Sequence, residues 1–102
     1  MLIYATDQDF NKIVENKLCL VDFYATWCGP CRMLAQELED IVDETEDFDI
    51  VKVDIDETPE TTSKFKIDVV PTMIVFKNGQ PVKTLTGYMA KQQILEIMKE
   101  YI

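Results

Sequence analysis

The alternation of apolar and polar positions changes period several times along the chain, and each change marks an element. Residues 18–25 read LCLVDFYA, apolar on both faces apart from one carboxylate. That is the pattern of a strand at the centre of a parallel sheet. Upstream, Phe10, Ile13 and Val14 recur at helical spacing behind the capping-box-like run Thr6-Asp7-Gln8-Asp9, which predicts a helix over residues 6–16. Downstream, Leu34, Leu38, Ile41, Val42 and Thr45 share one stripe of a long helix running from Cys28 into the mid-forties. Residues 50–55 predict a second strand, closed by the turn-like DIDETP, and residues 59–66 a short helix with Phe65 inward. Two strand-like runs, 72–76 and 82–86, flank KNGQ, and Asn-Gly between such runs is a hairpin signal. A last helix over roughly 90–101 buries Ile94, Leu95, Ile97, Met98 and Tyr101.

The predicted order is therefore α, β, α, β, α, β-hairpin, α. Alternation followed by a hairpin implies an α/β fold: a mixed sheet of four to five strands, antiparallel at its C-terminal hairpin, with about four helices on both faces. No repeat, low-complexity tract or linker interrupts the chain, so residues 1–102 are expected to form one domain.

Composition narrows the function. A formal net charge of −9 argues against a nucleic-acid backbone or an anionic membrane surface as partner. MLIYATDQDF lacks a basic region followed by an apolar run, and no stretch is apolar enough to span a bilayer. Three cysteines do not suggest a structural disulfide framework, and without histidine no ordinary zinc site assembles. A reducing, cytoplasmic setting is expected. Between Met33 and Val51 there is no Lys or Arg, yet eight acids from Glu37 to Asp49 fall there. A solvated outer face is the simpler reading; a surface that screens partners by charge is the sharper one.

The chemistry concentrates in VDFYATWCGPC, residues 21–31. With Cys28 as N-cap of the long helix, Gly29 and Pro30 are its first two residues and Cys31 its third. Proline is tolerated there because first-turn N–H groups lack helical acceptors. Pro30 has no N–H to give, so the Cys31 N–H is the natural donor to the Cys28 sulfur. That donor and the positive helix end favour thiolate. Residues i and i+3 on a helix have Cβ atoms roughly 5–6 Å apart, close to disulfide reach. One exposed, activated sulfur with a second one turn further in is a layout for thiol–disulfide exchange. The competing reading, half of a metal knuckle, needs a second pair, and only Cys19 remains.

Trp27-Cys28-Gly29-Pro30-Cys31 after LVDFYA, with KVDID at 52–56, VVPT at 69–72, FKNGQ at 76–80 and Gly87 before the last helix, resembles the thioredoxin family over nearly the whole chain. The resemblance implies a thioredoxin fold and a protein-disulfide reductase. Cys28 would be the nucleophile and Cys31 the resolving thiol, with Asp22 a buried carboxylate behind the inner sulfur and Lys52 a lysine near it. Pro71 would be a cis-proline facing the cysteines. Trp27, Gly29, Pro30, Ile55, Val70, Pro71 and Gly87 would form the apolar docking surface. The redox-active pair would be recharged by a flavoprotein thioredoxin reductase drawing on NADPH. The chain itself would bind no cofactor or metal, and would act as a monomer on disulfide-containing clients.

On the residues alone, Asp22 is either a base for Cys31, its pKa raised by burial, or a core polar group satisfied by Lys52 or water. Pro71 by itself favours trans, since cis X–Pro bonds are only about 5–6% of cases. Cys19 falls on the opposite strand face from Asp22 and reads as an inert buried thiol. Several positions depart from the family pattern: Gln36 stands where many relatives carry a kinking proline, so a straighter helix is expected. Tyr24 replaces a tryptophan, and Thr86 and Tyr88 flank Gly87 in place of small or apolar residues. Two other functions remain: an oxidant or isomerase, which the Gly-Pro pair between the cysteines disfavours, and a binding module with incidental thiols, which needs neither cysteine.

Overall fold

The computed structural model describes all 102 residues. The chain opens with β1 (Leu2–Tyr4), a three-residue strand that the periodicity does not predict. It exists through pairing: Leu2, Ile3 and Tyr4 lie in parallel register with Ile50, Val51 and Lys52. The capping box does form, with the Thr6 N–H donating to Asp9 and the Asp9 N–H to the Thr6 hydroxyl. The helix behind it, α1 (Phe10–Val14), is shorter than 6–16, because residues 7–9 form a turn. Then follow β2 (Leu18–Tyr24), α2 (Gly29–Glu44), β3 (Asp49–Asp54), α3 (Pro59–Lys64), β4 (Thr72–Lys77), β5 (Gln80–Thr86) and α4 (Lys91–Met98).

The five strands lie in the order β1-β3-β2-β4-β5. The first three are mutually parallel, and β4 and β5 run antiparallel. Asn78 and Gly79 turn the hairpin with φ of 53° and 81°, both in the left-handed region the tight turn requires. On one face, Leu34, Leu38 and Ile41 of α2 and Ile94 and Met98 of α4 pack on Leu20, Ile50, Met73 and Val75. On the other, Phe10 and Val14 of α1 meet Val21, Phe23, Val51 and Phe76, with Phe65 closing an aromatic cluster. Strand side chains alternate between faces. Asp22 therefore shares the α2 side with Leu20, and Cys19 lies on the α1 side with Val21.

With Gln36 in place of proline, α2 runs unbroken for 16 residues. Its start is fixed by Cys28, whose φ and ψ of −94° and 117° are extended, and by Pro30 in the first turn. The carboxyl end of β2 thereby delivers the chain into the helix N-terminus, with Asp22 two residues before the end of the strand.

Candidate functional site

Cys28 and Cys31 are joined in a disulfide across 5.2 Å between Cα atoms. The Cys31 N–H points at the Cys28 sulfur at 3.2 Å, the contact that the missing Pro30 N–H dictates. One sequence expectation needs correction. Cys28 is not an exposed sulfur: it is 6% accessible against 2% for Cys31. In the disulfide each sulfur covers the other, and Ala25, Tyr24, Ile55 and Val70 pack around the pair. The difference between the two lies in what they face.

Cys28 faces the segment before β4. Its sulfur lies 3.8 Å from the Val70 carbonyl oxygen. The Val70–Pro71 peptide is cis, as the family resemblance implies and local propensity does not. Thr72 anchors this turn by donating its hydroxyl to the Val69 carbonyl at 2.8 Å. A groove of about 300 Å³ beside it is lined by Trp27, Ile55, Ile67, Asp68, Val69 and Val70. Gly87 joins the same rim, its N–H donating to the Pro71 carbonyl at 2.9 Å. The structure thus brings together Trp27, Ile55, Val70, Pro71 and Gly87, with Gly29 and Pro30 on the adjoining first turn of α2.

Cys31 faces the other way. It lines a cleft of about 280 Å³ with Tyr4, Tyr24, Ala25, Thr26, Arg32, Ala35 and Lys52. From this cleft Lys52 reaches Asp22, Nζ to Oδ2 at 2.7 Å, while its ammonium sits 4.4 Å from the centre of the Tyr24 ring. Asp22 is wholly buried, and its Oδ1 has no hydrogen-bond partner. Burial raises the Asp22 pKa above its ordinary value, and the Lys52 charge and hydrogen bond offset this only in part. Cys19 lies under α1, far from this chemistry in the fold, and burial pushes its thiol up to about 11.

Three residues at the site escaped the sequence reading. Asp56 accepts the Trp27 indole N–H at 2.9 Å and so orients an exposed ring. An exposed Trp beside a motif asks for such an acceptor, and Asp56 stands one residue past Ile55. Arg32 folds back to donate to the Thr26 carbonyl at 3.1 Å, bracing the loop before Cys28. Tyr4, brought in by the unpredicted β1, walls the Cys31 cleft.

A disulfide at a helix N-terminus, between an apolar groove and a buried carboxylate, on a five-stranded mixed sheet, defines a thiol–disulfide oxidoreductase. The Thioredoxin family model matches residues 1–100. Curated thioredoxins from Staphylococcus aureus strains MW2 and N315 are 43% identical over 102 residues, covering 99% of this chain and 98% of theirs. A mutant thioredoxin from Halobacterium salinarum NRC-1 superposes with a TM-score of 0.91 at 29% identity, covering 98% of this chain and 89% of that one. The reduced Schistosoma mansoni thioredoxin pre-protein gives 0.88 at 35%, covering 99% and 98%. The chain belongs to the thioredoxin family and is a protein-disulfide reductase.

Proposed function

We propose that Cys28 attacks and Cys31 resolves. In the reduced form the Cys28 thiolate attacks a client disulfide. A mixed disulfide forms, and one client sulfur leaves as thiolate and takes up a proton. The Cys31 thiol, deprotonated by Asp22, then attacks the Cys28 sulfur. The second client sulfur leaves, and two electrons have passed from the dithiol to the client. The observation that carries this assignment is the Cys31 N–H aimed at the Cys28 sulfur at 3.2 Å, because only that sulfur receives a main-chain donor and the helix field.

Asp22 suits the resolving step because burial raises its pKa and so makes it a stronger base than an exposed carboxylate, and Lys52 fixes its orientation. Trp27, Gly29, Pro30, Ile55, Val70, Pro71 and Gly87 receive the client as an extended segment against the Val70 main chain. The oxidised form returns through a flavoprotein thioredoxin reductase fed by NADPH, and the protein works as a monomeric single domain in the cytoplasm. The test is reduction of insulin disulfides by the pre-reduced protein, with iodoacetamide mapping at pH 7. Alkylation should fall first on Cys28. Preferential labelling of Cys31 or Cys19 overturns the assignment.

A further inference from the structure

The helix α4 begins on Ala90, a residue with no side-chain acceptor for the free N–H groups of the first turn. The gap is filled from a distant element. Glu37 of α2 accepts the Lys91 N–H at 2.7 Å, across 54 residues of sequence. Two turns further along α2, Glu44 binds the Lys91 ammonium, so one residue is held at both its main chain and its tip. Tyr88, three residues earlier, has its pKa raised by burial first, and then by a hydrogen bond to Glu37 and by the Glu37 charge. Between Tyr88 and β5 lies Gly87, at φ 89°, tied to the Pro71 carbonyl. A single carboxylate on the helix that carries the cysteines therefore holds the first residue of α4, directly after the loop 87–90 whose Gly87 is tied to the Pro71 carbonyl.

We propose that Glu37 is a positioning residue for polypeptide substrates: by anchoring the start of α4 it fixes loop 87–90, and with it the exposed Tyr88 ring next to the Gly87 that meets the Pro71 carbonyl, for contact with a bound client segment. This deepens the reading above and rests on the docking surface that includes Gly87. Part of the acidic run on α2 thereby has a task other than solvation. Tyr88, 40% exposed, offers an aromatic face beside the glycine. On this proposal a small disulfide needs only Cys28, whereas a protein disulfide also contacts Gly87 and Tyr88.

The experiment compares wild type, Glu37→Ala, Glu37→Gln and Trp27→Ala in the reduction of insulin and of a small aromatic disulfide. Thermal melts set a temperature at which all four are folded. Glu37→Ala should raise the insulin KM about fivefold with kcat within about twofold, the scale of losing one ordinary hydrogen bond. The ratio of insulin rate to small-disulfide rate should fall accordingly. Glu37→Gln keeps an acceptor for the Lys91 N–H and should recover most of the loss. Equal losses on both substrates, an unchanged insulin KM in Glu37→Ala, or no recovery in Glu37→Gln overturns the inference. If Trp27→Ala raises the insulin KM and Glu37→Ala does not, this inference alone fails. If Trp27→Ala also leaves it unchanged, the docking surface itself is wrong.

Discussion

Replacing Asp22 by Asn should make the protein more stable and less active, and the gain in stability should depend on pH. Asp22 is fully buried, with one oxygen on Lys52 and the other without a partner. Burial raises its pKa above 3.8, Lys52 notwithstanding. A carboxyl that titrates higher in the folded than in the unfolded chain binds more protons when folded, between the two values. Stability from this group is therefore complete below the unfolded pKa and declines as pH rises through the folded one. Each unit of elevation costs about 1.4 kcal/mol at high pH. Asn has nearly the same shape, still accepts from Lys52 and carries no charge. Lys52, only 5% exposed, keeps its contact with the Tyr24 ring and its place on the cleft. Asp22→Asn returns about 1.4 kcal/mol for each unit by which burial raises the carboxyl pKa, less the cost of leaving the Lys52 ammonium without a charged partner, and at this chain length each kcal/mol is worth roughly 4–8 °C in melting temperature. Urea titrations of both proteins from pH 4 to pH 9 measure the difference directly. It should be near zero at pH 4 and largest at pH 9, while mixed-disulfide resolution near neutral pH slows. Stability curves that run parallel across the range, or a wild type more stable at pH 9, would refute the placement of an ionising carboxyl in that core.

Cys28→Ser should abolish insulin reduction, whereas Cys31→Ser should accumulate a mixed disulfide visible by mass spectrometry; trapping by Cys28→Ser instead would reverse the two roles. Cys19, with its thiol at about 11 and no accessible surface, should resist iodoacetamide at pH 8 in the folded protein and react on denaturation in urea. Leu38→Ala, which empties a fully buried site between α2 and the sheet, should cost about 2–5 kcal/mol in denaturant titrations and leave the insulin KM unchanged at 25 °C. Gly79→Ala, at φ 81°, should cost about 1 kcal/mol through the left-handed turn alone, and a neutral result would mean that the hairpin turn relaxes.

The elements legible in the sequence are those whose side chains repeat a period long enough to see. The stripe Leu34, Leu38, Ile41 places α2, and the doubly apolar run 18–25 places β2 at the sheet centre. β1 was not legible because three residues carry no period, and its strand character comes from Ile50, Val51 and Lys52 beside it. The Cys28 N-cap was legible because proline chemistry leaves the Cys31 N–H as the donor. The cis bond at Pro71 was not, since local propensity favours trans and only the family pattern implied it. Nor was the cover over Cys28, which comes from Val70 and Ile55, residues distant in sequence. The Glu37 contact spans 54 residues and shows only once α2 and α4 lie side by side.

The two sulfurs sit three residues apart, yet the fold gives them opposite electrostatic problems. Cys28 has a main-chain donor and a helix end, which together favour a negative charge on its sulfur. Cys31, one turn in, accepts no such donor and faces the cleft where Lys52 meets Asp22. A helix N-terminus can activate the first sulfur but not hand off the proton of the second. On the proposed mechanism that step needs a proton acceptor in the core, and an acceptor there is destabilising for the reason that makes it basic: desolvation raises both its pKa and the cost of its charge. With Asp22 as the proposed acceptor, the stability lost to it and the basicity offered to Cys31 are one quantity, so no substitution at residue 22 should remove the first and keep the second.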